Sequence, residues 1–394
     1  MARLPPISRD YRLILAARLL RAFGFGMAAV LVGLHLERRG LTASVIGLVL
    51  SIGLLSAAIA GVIAATLSAR IGRRNTLALA GLLMAIAGAG LALANSPLLL
   101  GLTAATGMLG AASIDLGPFA SIEQAALAES VAPQRRNVAF ARYSLTGGLA
   151  AAAGGLLAGT ATDLNRGQLI FGVYALIGLV TAVLAVLLSP RAEAPIRAAA
   201  LSAARIGALA PLSALFAIDA LGGGLVVNAV IAYWLHARFH AGTEILGPAF
   251  AALSIVQAAS YEIAGRLANR FGLVRTMVFT HLPSNLLLVL VPFSPSLPWA
   301  VGLLLLRFSI SQMDVPARQA YIVSIVAPSE RAGAVALTGA VRGVAQAVGP
   351  VLAGQAIQSA AFGLPFFLAG GLKIAYDLAL YAGFRARRAD HELA

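Results

Sequence analysis

One break in this chain occurs twice. Leu67-Ser68-Ala69-Arg70-Ile71-Gly72-Arg73-Arg74 returns as Leu267-Ala268-Asn269-Arg270-Phe271-Gly272-Leu273-Val274-Arg275, with the two glycines 200 positions apart. Each copy is a short basic loop between two long apolar runs. The chain must therefore hide apolar surface over most of its length and turn back at charged points, in the same way in each half. A membrane protein built from two related bundles meets both demands, and that architecture is characteristic of secondary transporters.

Composition narrows the choice further. The chain is 60% hydrophobic and 11% charged, whereas soluble domains carry roughly 25% charged residues. Its 41 glycines suit close helix–helix approach in lipid, where small residues take over from the hydrophobic effect as the packing device. The absence of cysteine excludes disulfides, thiolate metal sites and thiol catalysis. A net charge of +14 first suggests nucleic acid. The arginines, however, sit in short loops between apolar runs and not along one amphipathic face, so no nucleic-acid partner is expected. There is no P-loop, so direct ATP coupling is unsupported. The loops are too short to hold a catalytic constellation, so no enzyme activity and no cofactor are expected. The first apolar stretch has no small-residue cleavage site and reads as a retained span.

A hydrocarbon core requires about 20 mostly apolar residues per helix. Twelve runs qualify: 12–35, 43–67, 75–95, 97–122, 138–162, 167–189, 207–235, 244–267, 275–293, 297–325, 331–357 and 363–384. The breaks on one side, together with both termini, hold eighteen arginines, against Arg38, Arg39, Arg166 and Arg238 on the other. That bias predicts cytoplasmic termini. The polar stretch 190–206, with Pro190 and Pro195, is the expected linker between an N-terminal six-helix bundle (1–189) and a C-terminal one (207–394). The repeat supports this division. Ala132-Pro133 through Leu157-Ala158-Gly159 aligns without gaps with Ala327-Pro328 through Leu352-Ala353-Gly354, and Phe23-Gly24-Phe25-Gly26 corresponds to Leu221-Gly222-Gly223-Gly224. The expected fold is all-α and integral to the membrane, with twelve spans in two pseudo-symmetric bundles.

Twelve spans, a parallel six-plus-six repeat and an Arg-rich loop after the second span of each half together resemble the major facilitator superfamily over essentially the whole chain. The family's loop reads Gly-x-Leu-a-Asp-Arg-x-Gly-Arg-Arg. Leu67, Arg70, Gly72, Arg73 and Arg74 match it, as do Gly265, Leu267, Arg270 and Gly272 in the second copy. Ala69 and Asn269 occupy the acidic position, so the charge lock which the resemblance implies on the cytoplasmic side lacks its carboxylate. The resemblance also implies a midplane cavity, a working monomer and rocking of one bundle against the other. The family's antiporter pattern, a Gly-Pro pair in the fifth span, is absent there; Gly349-Pro350 stands in the eleventh span instead and leans towards export.

Ionisable residues inside spans cost about 2.5–3.5 kcal/mol each on insertion scales and so mark function or internal pairing. Arg21 and Asp219 are repeat-equivalent and could form an ion pair, structural or gating. Glu123, Asp314 and Arg318 could lock the bundles together or handle substrate and protons; Asp314 and Arg318 have the i,i+4 spacing of a helical pair. Asp115, just before Gly117-Pro118, is the preferred proton carrier, with Glu123 second, because a carboxylate in a low-dielectric site can load and release protons near neutral pH. Arg21, Asp219, Asn228, Gln257, Asp314, Arg318 and Gln319 are the expected cavity and gating residues. Lys373 and Asp377, also i,i+4, are expected to satisfy each other. His236 and His240 share a helical face but lack a nearby acid or cysteine to complete a metal site.

The sequence thus predicts a proton-coupled carrier exporting a small organic solute, placed by its Arg- and Ala-rich usage in a bacterial inner membrane. An organic-anion carrier using the buried arginines, divalent metal efflux, and a transport-dead receptor or lipid scramblase are the alternatives.

Overall fold

The computed structural model describes residues 8–111, 117–131, 136–193, 203–271, 273–315, 318, 321–322, 326 and 331–384. The first half contains α1 (Arg9–Arg38), α2 (Ala43–Ile71), α3 (Arg73–Leu93), α4 (Pro97–Ala104), α5 (Pro118–Ser130), α6 (Arg136–Ala158) and α7 (Leu164–Val186). The second contains α8 (Ala203–Gly224), α9 (Asn228–Phe239), α10 (Thr243–Phe271), α11 (Leu273–Leu290), α12 (Leu297–Phe308), α13 (Arg331–Gln358) and α14 (Leu364–Phe384). Local chemistry sets several starts. Ser8 Oγ accepts from the Tyr11 amide to begin α1, Asp163 Oδ1 accepts from the Arg166 amide to begin α7, and Pro97 follows the Ser96 cap of α4. At 29 residues, α2 and α10 reach about 44 Å, more than a bilayer's hydrocarbon thickness.

These helices make twelve spans, and their order follows the apolar runs of the sequence. Three spans depart from the expected continuous helix. The fourth is α4 and α5, separated at a segment that ends on Gly117, whose φ of +99° precedes Pro118. The seventh is α8 and α9, separated at 225–227. The tenth leaves α12 for turns over 309–313. Interrupted helices in a membrane are tolerated where the freed backbone is buried in protein or lines a cavity. Two of the interruptions meet across the halves, where the Ala229 amide donates to the Ala111 carbonyl at 3.1 Å. The C-terminal bundle begins at Ala203, inside the stretch expected as linker, and 190–193 forms a single 3-10 turn.

The outer surface is apolar, with Leu93, Leu98, Leu169, Phe293 and Trp299 among its most exposed side chains. Arg21, Glu123, Asp219, Arg307, Asp314, Lys373 and Asp377, all within spans, are buried instead, as expected of charges in a chain solvated by lipid. The halves meet chiefly through α2 against α13 and α6 against α10, symmetry-related pairs. Glycine makes both contacts possible. A Cβ on Gly247 would lie 2.7 Å from the Gly155 carbonyl, and one on Gly47 would collide with the Pro350 carbonyl and lie 3.0 Å from Gly354.

Among the described residues, the hydrogen bonds joining the halves lie towards the end remote from the N-terminus of α1. The Ala43 amide donates to Gln358 at 2.9 Å, the Val351 amide to Ser51 Oγ at 3.0 Å, and Thr243 Oγ1 to the Ala161 carbonyl at 2.9 Å. That end is closed.

Candidate functional site

The first bundle buries a compact ionic group. Arg21 on α1, fully buried, donates through Nη2 to Glu123 Oε2 on α5 in a short bond, and Tyr143 Oη on α6 donates to the same carboxylate oxygen at 2.6 Å. The Arg21 guanidinium also lies over the Phe119 ring, 4.5 Å from its centroid. Next to it, Arg18 covers the Tyr143 ring at 4.3 Å. Three helices thus converge on Glu123. A carboxylate held between a guanidinium and a phenol is fixed in one orientation, and it ties the first, fourth and fifth spans together. A cavity of about 10 Å³ adjoins Glu123, lined by Ile14, Ala17, Leu77, Phe119 and Thr181.

The second bundle centres on Asp219 of α8. Its Oδ1 accepts from Lys373 Nζ of α14 at 2.6 Å and its Oδ2 from Arg342 Nη1 of α13 at 2.9 Å. Arg318 Nη1 lies 3.5 Å from Oδ2, and His281 Nε2 of α11 lies 3.7 Å from Oδ1. The imidazole extends the network outward, with Nδ1 2.9 Å from Asp377 Oδ1, while Asn285 Nδ2 donates to Asp377 Oδ2 at 2.9 Å. Arg318 Nη1 donates to Asp314 at 2.6 Å. Asp219, His281 and Asp377 therefore form a buried chain of titratable groups crossing from the seventh span through the ninth to the twelfth. Arg342, whose side chain is a quarter exposed, is where this network meets accessible space.

Several expectations are corrected here. Arg21 and Asp219 do not pair; each is the ionic centre of its own bundle, because repeat equivalence places them at matching depths in different halves. Lys373 and Asp377 do not satisfy each other: Lys373 reaches across to Asp219, and Asp377 is held by His281 and Asn285. Glu123 does not join Asp314 and Arg318 in a lock, since its partners are Arg21 and Tyr143. Asn228 is half-buried at the start of α9, and Gln257 is half-buried in α10. Asp115, Gln319 and Gly272 lie outside the described residues. The sequence reading missed His281, Asn285 and Tyr143 as members of these networks. A lone histidine inside an apolar run was the one available signal for the first.

The basic loop compensates for its missing acid. Arg73, buried at the start of α3, makes a fork to Glu129 at 2.6 and 3.0 Å. Glu193, from the turn that opens the linker, accepts from the Arg73 and Arg74 amides at 2.6 and 3.2 Å. Gly72 has φ +87°, and a Cβ there would lie 2.5 Å from Glu193 Oε2, so this glycine is needed both for its backbone and for its space. Two carboxylates from elsewhere thus bind this loop, at Arg73 and Arg74. Arg70 is exposed, as is Arg270 in the second copy.

The Major Facilitator Superfamily model matches residues 14–217 and 212–393, nearly the entire chain in two successive copies. The chain belongs to the Major Facilitator Superfamily. This superfamily member is 26% identical over 422 residues to the uncharacterized membrane protein YJR124C of Saccharomyces cerevisiae, covering 96% of this chain and 94% of the yeast protein. Its fold is similar to that of the D-xylose-proton symporter, with a TM-score of 0.70, 16% identity and coverage of 94% and 97% of the two chains. It is also similar to the human organic anion transporter MFSD10, with a TM-score of 0.68, 19% identity and coverage of 95% and 100%. The two solved structures carry different cargo in their names; the family match makes this chain a membrane transporter and leaves its solute to the residues of the site.

Proposed function

We propose that this transporter couples proton movement to the export of a small organic solute, by alternating access of its two bundles. The observation that carries this reading is the buried Asp219–His281–Asp377 chain. Buried structural ion pairs need no imidazole, and histidine is the side chain whose ordinary titration falls between pH 5 and 8. An imidazole between two carboxylates can take a proton from one and pass it to the other. Asp115 and Glu123 are the proton-handling candidates of the first bundle, and Arg21, Asn228, Gln257, Asp314, Arg318 and Gln319 are assigned, with Asp219, to the cavity and its gates.

The closed end fits one state of a rocking cycle. Export is the reading that Gly349-Pro350 in α13 favours. The arginine bias between loops supports cytoplasmic termini, and the composition supports a bacterial inner membrane, with the monomer as the working unit.

The deciding experiment is flux into proteoliposomes for a panel of dyes, amino acids and organic anions, with and without an imposed pH gradient. Gradient-driven movement of one class is expected. Asp115→Asn and His281→Ala should each remove the response to the gradient while retaining solute exchange at equal pH. Unchanged gradient-driven flux in both variants would sink the proton-handling assignment.

A further inference from the structure

We infer that Arg307 and Ser311, at the interruption of the tenth span, form a subsite for the carboxylate of a small organic monoanion, which this transporter carries. The inference rests on the transporter reading above and adds the chemical class of the solute.

Among the described residues, charge in the buried network of the second bundle does not balance: it holds three carboxylates, Asp219, Asp314 and Asp377, and four permanent cations, Arg307, Arg318, Arg342 and Lys373. Lys373 and Arg342 share Asp219, Arg318 takes Asp314, and Asp377 is occupied by His281 and Asn285. Arg307 is the cation left over. It is 6% exposed, its Nε is buried without a hydrogen-bond partner, and no ion pair forms to it among the described residues. A buried guanidinium without a counter-ion is costly and is expected where a ligand supplies the missing charge.

A second observation lies one turn away. Ser311 Oγ is also buried without a partner, and the Ser311 amide donates to the Arg307 carbonyl at 2.8 Å. The chain there follows turns instead of helix, so this part of the span is where the fold can bend to admit a solute. A guanidinium fork with a hydroxyl four residues on, one turn away along the backbone, is a set that can bind a carboxylate, since the fork matches both oxygens and the hydroxyl donates to one. A single guanidinium without an ion pair matches a monoanion better than a phosphate dianion. The neighbouring Phe308 and Met313, both buried, give the site an apolar side for the body of the solute.

The plain structural alternative is that Arg307 is satisfied by the carbonyl end of α12, where a cation is favoured, and by the Phe308 ring 5.1 Å away. The two readings make opposite predictions. If Arg307 supports structure, Arg307→Met lowers the melting temperature of the empty protein. If it awaits an anion, removing it raises the melting temperature of the empty protein and abolishes stabilisation by the anion.

The test uses the purified full chain in detergent, with benzoate as probe and benzamide as its neutral match. Benzoate should raise the melting temperature saturably and benzamide should not. Arg307→Met should weaken the benzoate response at least tenfold, and Ser311→Ala by a few fold. Arg307→Lys, which keeps the charge and loses the fork, should fall between. No benzoate response in the wild type, or an equal response in Arg307→Met, overturns the subsite. Flux separates this from the parent reading. Gradient-driven movement of another solute with no effect of benzoate would remove the subsite and leave the transporter; a benzoate response in protein that moves nothing would do the reverse.

Discussion

His236 Nε2 lies 2.8 Å from Glu37 Oε2, so the last turn of α1 is bonded to the last turn of α9 across the two halves. Tyr233 Oη donates to the other oxygen of the same carboxylate at 3.1 Å. Glu37 is therefore the acid that the histidine pair of the sequence lacked, and it comes from the opposite half. His236 Nδ1 also lies 2.8 Å from the Ala241 carbonyl, which fixes the ring. Among the described residues no group of three or more His, Cys, Asp or Glu side chains could hold a metal ion.

Glu37→Gln should weaken the closed end. Both partners are about a third exposed, so the pair is worth roughly 0.5–1 kcal/mol, a shift of two- to fivefold in the closed population. Spin labels on Thr42→Cys and Ser359→Cys, in a chain with no native cysteine, would read this as a growing long-distance population. An unchanged distance distribution would remove the pair from the gate.

Asp219→Asn should be severely destabilising, because it leaves Lys373 and Arg342 facing each other in a buried site. Breaking one side of such a group costs about 3–5 kcal/mol. Asp219→Asn combined with Lys373→Met should recover a large part of that loss. Thermal unfolding of the two variants measures it; equal losses in the single and double variants would mean the network is not coupled.

Gly247→Leu should insert without difficulty and yet fail to close, since the side chain would occupy the contact between α10 and α6. Transport should fall at least tenfold with normal surface expression. Near-normal transport would show that this approach is not needed in the cycle.

Glu193→Ala removes the acceptor for two amides at the start of α3 and should cost about 1 kcal/mol, the usual value of a lost helix cap. Gly72→Ala should cost more, from about 1–3 kcal/mol of strain in a positive-φ conformation that is essentially restricted to glycine and from the collision with Glu193. The ordering of the two melting temperatures is the check.

The spans were legible because lipid imposes a length: an apolar run long enough to cross is a helix, whatever its neighbours. The duplication was legible because the basic loop and the glycines repeat in order. The pairing of charges was not. Spacing along one helix suggested Lys373 with Asp377, but a buried helix has other helices on every side, and Asp219 offered Lys373 a shorter approach. Symmetry suggested Arg21 with Asp219, but it specifies matching positions and not contact. The substitution at Ala69 reads as a loss in sequence; only the fold brings Glu129 and Glu193, distant along the chain, to the same arginine. The partners of His281 were hidden for a related reason, since nothing in its own run indicates the two carboxylates that flank it.

Lys373 is the only lysine in the chain, and its amine is bound to Asp219 with its side chain 8% exposed. An amine-directed reagent therefore finds a single internal target, and finds it only when the second bundle loosens. The protein carries its own chemical clock: the rate at which one buried amine becomes acylated reports how often its ionic centre comes apart, without a probe being introduced.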